Sequence, residues 1–545
     1  MIRYVLPLTF AFAVLAGCST AKFKAQADKE VYDIIQHKQE VVLGLTNPFT
    51  IEQGKGDPLQ DLPLKETEPL GDMAPEQAVL LSLPQALEIA AKNSREYQSQ
   101  KEDLYLEALD LTLARHQWGP IFTGNASAAY TKKQGDETVS GGSEFGFTKI
   151  FADGTKLGAK LSTNLLMHLV HSPRQAASSL ITLTLTKPLW RGAGKRIAQE
   201  NLLQAERDVV YSIRSFAQYH RSFAVSTASA YYRALQGRDS VQNSWNNYQN
   251  LIQARQRAQM MAEAGRLPEF QVDQATQDEL RAKDNYVRAV QNYKQSIDEF
   301  KLQLGLPTDA AVELDHSELD ALAQRGIIHP DIDADRAVAV ALKARLDLQN
   351  ARDEVDDATR KVDVARNGLA PDVDLVLTSS VPSESNKPGV FSTAAGTYSA
   401  GLDVDLPLDR YSERNTYRRT LISLERATRS ETQFEDQVKL DVRQSWRKLQ
   451  EARDSYDIQR TSLQLAQRRV DSTTLLMQAG RADTRDVLEA QAALLEAQNA
   501  VTRALTDHTI ARLEFWRNIG ILDVNENGLW QENYDSFFQP EDDGQ

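Results

Sequence analysis

Apolar residues recur at helical spacing from Leu83-Pro84 to about Trp118, where Leu87, Ala90, Ala91, Leu104, Leu109 and Leu113 are consistent with one stripe. From Ile121 the period shortens to two. Phe145 and Phe147 lead into Ile150-Phe151, an Asp153-Gly154 turn, and Leu157, Ala159 and Leu161, the pattern of a β-hairpin. Ile181, Leu183 and Leu185 alternate with threonines up to Pro188, and a proline-free helical stretch then fills residues 193–263. The succession returns: helix over 335–368, strands carrying Val373, Leu375, Leu377 and Leu402, Val404, Leu406, Leu408, then a proline-free helix over 410–479. Each long stretch predicts a rod of roughly 100 Å at 1.5 Å per residue. The helices expected at about 84–118, 268–304, 335–368 and 484–519 are half as long, so two stacked end to end would match one long helix.

The return is a duplication in register. Ala264-Gly265-Arg266 recurs as Ala479-Gly480-Arg481, 215 residues on, and the offset carries Val272 onto Val487, Ala282 onto Ala497, Glu299-Phe300 onto Glu514-Phe515 and Gly305 onto Gly520. Upstream, Ala114-Arg115 and Pro120 return as Ala365-Arg366 and Pro371 after 251 residues. Small residues spaced by seven (Ala490, Ala497, Ala504, Ala511) predict close side-by-side helix packing. Gly265 and Gly480 sit where a glycine closes a helix, with Pro268 and Asp483 opening the next. Two tight helical hairpins are therefore expected, together at the end of the rod away from the strands.

Composition fits long helices better than layered cores: of 545 residues, 25% are charged and 7% aromatic. A net charge of −14 argues against a nucleic-acid partner. The acid thickens at Glu541-Asp542-Asp543. The single cysteine, Cys18, excludes an internal disulfide and a cysteine metal cage. Arg3 followed by an apolar run from Tyr4 to Ala16 has the layout of a secretory signal. Leu15-Ala16-Gly17-Cys18 resembles a bacterial lipobox, which implies a signal peptide over 1–17, lipid on Cys18 and, with Ser19 following, an outer-membrane destination. No later stretch reaches 18 apolar residues, so a bilayer crossing would have to be made by strands of a closed barrel. One strand face suits lipid, while Thr and Asp on the other suit a wet lumen. A half-buried soluble sheet would alternate in the same way.

The duplicated helix–strand–helix halves, a proline at each strand–helix junction (Pro120, Pro188, Pro371, Pro407) and the Ala-Gly-Arg hairpins resemble TolC-like outer-membrane efflux proteins over about 83–522. The fold class this implies is mainly α with a membrane β-barrel portion: an internally duplicated protomer in a homotrimer, with one shared β-barrel over a periplasmic α-barrel. The expected organisation is a lipid-anchored tether at 18–82, a first repeat at 83–306 with strands within 120–189, a linker at 307–334, a second repeat at 335–522 with strands within 371–408, and an acidic tail at 523–545. Residues 143–166 depart from the simplest family pattern as an additional hairpin that would either widen the barrel or fold outside it. The resemblance further implies an exit duct working with a periplasmic adaptor and an inner-membrane pump. The hairpin residues Ala264, Gly265, Arg266, Ala479, Gly480 and Arg481 would dock the adaptor, and Asp486 and Glu489 would narrow the periplasmic entrance. At the family's gating positions stand Gln271 and Met477, so the means of closure is open. Asp486 also reads simply as a first-turn carboxylate favoured by the helix dipole.

No catalytic chemistry is indicated and no cofactor is expected. Gly192-Ala193-Gly194-Lys195 lacks the Gly-Lys-Ser/Thr of a phosphate loop and reads as a sharp strand-to-helix junction. His168 and His171 lack a third metal-ligand type nearby. The competing reading is a lipid-anchored coiled-coil scaffold of the cell envelope, which leaves the two-faced strands unexplained.

Overall fold

The computed structural model describes residues 19–46, 48–52, 79–133, 136–169, 175–406, 408–525 and 528–531. The signal segment, Cys18, His171, Pro407 and Glu541-Asp542-Asp543 lie outside the described residues. The elements, in order, are α1 (Thr20–Leu43), β1 (Val79–Leu81), α2 (Leu83–Asn93), α3 (Arg95–His116), β2 (Ile121–Lys133), β3 (Asp136–Ile150), β4 (Lys156–His168), β5 (Gln175–Pro188), α4 (Lys195–Ala198), α5 (Glu200–Glu263) and α6 (Glu269–Gln303). There follow β6 (Val312–Leu314), α7 (Ser317–Arg325), α8 (Ala334–Ala344), α9 (Leu346–Asn367), β7 (Asp372–Glu384), β8 (Lys387–Phe391), β9 (Thr397–Asp405), α10 (Tyr411–Gln478), α11 (Thr484–Ile519), β10 (Asp523–Val524) and β11 (Trp530–Gln531). They divide between two compact units, one within 1–49, 103–214 and 349–433, the other within 50–102, 215–348 and 434–545.

The first unit carries a sheet in the order β2-β3-β4-β5-β7-β9, every neighbouring pair antiparallel, with the short β8 against the end of β7. The expected additional hairpin is β3–β4, and it lies inside this sheet. Register gathers apolar side chains on one face across all six strands: Phe122 faces Phe147, Phe145 faces Leu161, Leu161 faces Ile181, Leu185 faces Leu377 and Leu375 faces Leu402, with Ser143, Thr163, Ser179 and Ser379 interspersed on the same face. The other face carries Thr123, Asn125, Glu144, Lys160, Thr184, Asp374 and Asp403. Many of the apolar side chains, Phe122, Phe145 and Leu402 among them, are exposed.

Below the strands the expected tether contributes a 24-residue helix, α1, longer than the short helical pieces its composition suggests. It buries Val31, Ile34 and Ile35 and is fixed by polar contacts: Tyr105 donates to Asp28 at 2.7 Å, and Lys38 and Arg115 each reach Glu206 at 2.7 Å. A seam between α5 and α9 centres on Asp357, 3% exposed, which receives Arg207 (2.7 Å), Arg360 (2.8 Å), the Tyr211 hydroxyl (2.7 Å) and Gln204 (3.0 Å).

In the second unit one core joins Leu87, Tyr97, Tyr231, Leu235, Phe300, Leu314, Leu348, Val442, Leu449, Phe515 and Ile519. The expected linker is structured here. β6 pairs in parallel with β1, and Trp446 and Arg512 donate to the carbonyls of Ile332 (3.0 Å) and Ile328 (3.4 Å). His329 packs on His508, with Nδ1 and Nε2 3.3 Å apart. Burial, then His329, Arg512 and Arg453, push His508 down to about 4.

Three expected boundaries are corrected. The helix expected from residue 193 is delayed and split: Gly192 and Gly194 take φ of 76° and 94° and turn the chain, the short α4 follows, and α5 begins at Glu200 after Gln199. The single helices expected over 84–118 and 335–368 are each broken, at Ser94 and Arg345, whose ψ values of 123° and 118° are extended. Against each break rests a left-handed glycine that closes a later helix. Gly305 (φ 76°) approaches Asn93-Ser94, and Gly520 (φ 87°) approaches Ala344-Arg345.

Candidate functional site

Both expected hairpins form, with the same hydrogen bonds. Gly265 donates to the Ala262 carbonyl at 2.8 Å and Arg266 to Met261 at 2.9 Å; Gly480 donates to Met477 at 3.0 Å and Arg481 to Leu476 at 2.8 Å. Each glycine has φ of 70°, the left-handed geometry that satisfies the last helical carbonyls and that other residues adopt at a cost. Ala264, Gly265, Arg266, Ala479, Gly480 and Arg481 are all exposed. Leu488 of α11 packs with Leu251, Ala258, Ala275 and Ala282, so α11 rests on the first hairpin's helices. A crevice of about 120 Å³ between α5, α10 and α11 is lined by Met261, Met477 and Gln491, among others.

Asp486 and Glu489 are exposed on the side of α11 opposite the buried Val487, Leu488 and Ala490. Both have local partners. Asp486 Oδ2 accepts from the Asp483 backbone N–H at 3.1 Å, the return bond of a capping box. Glu489 accepts from Arg485 at 2.9 Å and lies 3.9 Å from Arg469. Gln271, the counterpart of Asp486, cannot make the same bond, because Pro268 at its helix cap has no N–H. Its Oε1 is buried without a hydrogen-bond partner among the described residues.

At the strand–helix junctions, Pro188 ends β5 and Pro371 immediately precedes β7, while Pro120 precedes β2. One residue not foreseen ties two of these crossings together: the Asn367 side chain accepts from the Gly192 N–H at 2.8 Å and donates to the Trp190 carbonyl at 3.2 Å. An Asn just before a helix-ending glycine was the only signal available for it. Among the described residues no cluster of three or more His, Cys, Asp or Glu is placed to hold a metal.

A strand–long-helix protomer with this sheet can be compared with known families, and residues 337–520 match the outer membrane efflux protein model. The match takes in most of α8, then α9, the β7–β9 strands, α10, the second Ala-Gly-Arg hairpin and all of α11. No curated protein matches the chain. Among solved structures, the outer membrane protein VceC of Vibrio cholerae is 15% identical, with a TM-score of 0.61 over 80% of this chain and 96% of its own. The Campylobacter jejuni CmeC channel is 14% identical, with a TM-score of 0.60 over 83% and 87%. The Neisseria gonorrhoeae MtrE channel, in its open state, is 12% identical, with a TM-score of 0.58 over 81% and 89%. The chain shares the fold of these outer-membrane channels.

Proposed function

We propose that the chain is an outer-membrane exit channel, the outer duct of a tripartite efflux or type I secretion system. In this reading it is a homotrimer anchored by lipid on Cys18. It passively conducts substrates delivered by an inner-membrane pump through a periplasmic adaptor that docks on the two Ala-Gly-Arg hairpins. The observation that carries the reading is the six-stranded sheet with one mainly apolar face, in a chain whose residues 337–520 match the outer membrane efflux protein model. Exposed aromatics at the strand ends, Phe151, Trp190 and Tyr411, are the residue types that settle at a membrane–water interface. A scaffold held by lipid alone has no use for such a face.

Cys18→Ser separates the two readings. In membranes carrying the full chain, the variant is expected to lose lipid labelling yet stay in the membrane through an alkaline wash, because the barrel itself anchors it. Release of the variant by that wash would sink the channel reading and favour the scaffold.

Asp486 and Glu489 are proposed to set the charge of the periplasmic mouth, tempered at Glu489 by Arg485 and Arg469. Replacing both by alanine leaves Arg485 and Arg469 unopposed, so cation-over-anion permeability should fall about twofold or more. The lost capping bond should cost about 1 kcal/mol. Reversal potentials in a salt gradient across a planar bilayer measure the first effect. An unchanged reversal potential would reduce both residues to ordinary helix-start carboxylates.

A further inference from the structure

The placement of β3–β4 bears on what can leave the channel. Within the sheet it is paired on both sides, to β2 along the whole of β2 and to β5 along nearly the whole of β4, with no break in register. Its side chains follow the alternation of the other strands. Phe145, Phe147, Leu161 and Leu165 stand on the common apolar face, and Glu144 and Lys160 form an ion pair at 2.8 Å on the polar one. With 15 and 13 residues, β3 and β4 exceed the ~9–11 that a tilted strand needs to cross a bilayer. A flap folded outside a barrel would have neither the two-sided pairing nor the matching faces.

The outer edges of β2 and β9 carry no strand partner among the described residues. Five successive antiparallel pairings separate them, so β2 and β9 run in opposite directions. Copies of the sheet can therefore join β9 to β2 and continue the antiparallel order without a seam. Six strands cannot close alone, since membrane barrels need at least about eight, and an unpaired edge cannot face lipid.

We infer that each copy gives six strands to the barrel, the edge of β9 pairing with the β2 edge of the next copy, so that a trimer closes an eighteen-stranded exit wide enough for large solutes. The copy number rests on the trimeric channel proposed above. With strands about 4.8 Å apart and tilted by about 40°, eighteen strands give a wall about 36 Å across, against about 24 Å for twelve. Allowing roughly 5 Å of side chain on each side, the free bore is about 26 Å rather than about 14 Å. The strand-built exit is then not the filter for small molecules, and hydrated polymers or extended polypeptides fit it.

Two measurements on the full chain test this. Cysteine pairs introduced on β2 and β9, Ser127→Cys with Ser399→Cys and neighbouring steps to find the register, should give oxidation-dependent cross-links ending at a trimer. In a planar bilayer, neutral polymers added on the outer side should enter the barrel up to a hydrodynamic diameter near 26 Å. Deleting residues 136–168 leaves β2 and β5 antiparallel and adjacent, and should lower that cutoff by about a third or more. Trimeric channels with a wild-type cutoff near 14 Å would overturn the wide exit while leaving the channel standing. Trimers without β2–β9 cross-links at any register would overturn the edge pairing. Failure to form channels or oligomers at all would instead strike the proposed function. If the deletion variant fails to fold, the wild-type cutoff and cross-links decide alone.

Discussion

Replacing Gly305 by valine is expected to leave the second unit unable to reach its native packing. Gly305 closes α6 with φ of 76°, and a Cβ there would stand 2.2 Å from the Asn93 carbonyl oxygen and 2.6 Å from its carbon. Both are backbone atoms at the break between α2 and α3, so no flexible side chain can move away. The left-handed conformation adds about 1–2 kcal/mol for an ordinary residue and more for a β-branched one. Together with the forced shift of the break, the loss should exceed about 4 kcal/mol. Gly520→Ala is the matched control: its φ is 87°, but its new Cβ would come only to 3.2 Å from Ala344 and Arg345, and a loss of about 1–2 kcal/mol is expected. Thermal melting and limited proteolysis of the detergent-solubilised proteins measure both. Gly305→Val melting within a degree or two of the parent would refute the clash.

In the first unit the largest effect is expected from Asp357→Ala. Burial works to raise the pKa of this carboxyl, but hydrogen bonds from Tyr211, Gln204 and Arg360 and the charge of Arg207 outweigh it and hold it below the usual carboxylate range. A lowered native pKa means that the stabilisation is fully present above the unfolded-state value near 4 and is lost as pH falls through the native one. Alanine leaves the Arg207 and Arg360 guanidinium groups at a half-buried seam without their shared anion. Arg207 keeps Asp353 at 3.1 Å and Arg360 keeps Glu200 at 3.1 Å, which limits the damage. A loss of about 3 kcal/mol at neutral pH is expected, and about half that for Asp357→Asn, which still accepts hydrogen bonds. Denaturant melts at pH 7 check the magnitudes. A loss below about 1 kcal/mol for alanine would mean that water replaces the carboxylate at no cost.

The features legible in the chain are those decided locally or by period. Alternation at 181–186 and 373–377 placed β5 and β7, and the Asp153-Gly154 turn placed the β3–β4 hairpin. Glycines 265 and 480 marked both helical hairpins because only a left-handed closure suits them there. The breaks at Ser94 and Arg345 carried no glycine or proline, and they exist because Gly305 and Gly520 arrive from far along the chain. The pairing of β1 with β6 joins residues more than 200 apart and leaves no local trace. At the candidate mouth, the shared face of Asp486 and Glu489 was readable from their spacing of three. The bond from Asp483 and the arginine partners of Glu489 depend on side-chain placement. Asp357 carries no local mark of its burial, because its partners come from α5 as well as α9.

The alternation that makes the sheet two-faced also shapes how such a chain could be delivered. Among the described residues no helix is long and apolar enough to cross a membrane. In β2–β5 most lipid-suited side chains are followed by a polar or small one, Leu165-Leu166 being one exception, so no long apolar window would be held as a stop signal while the polypeptide threads through an inner-membrane translocon. The greasy surface comes into being only when neighbouring strands pair and bring Phe122, Phe147, Leu161 and Ile181 onto one side. For the channel proposed above, insertion would thereby be postponed until folding, the chain passing one bilayer as an unremarkable hydrophilic thread before embedding in another.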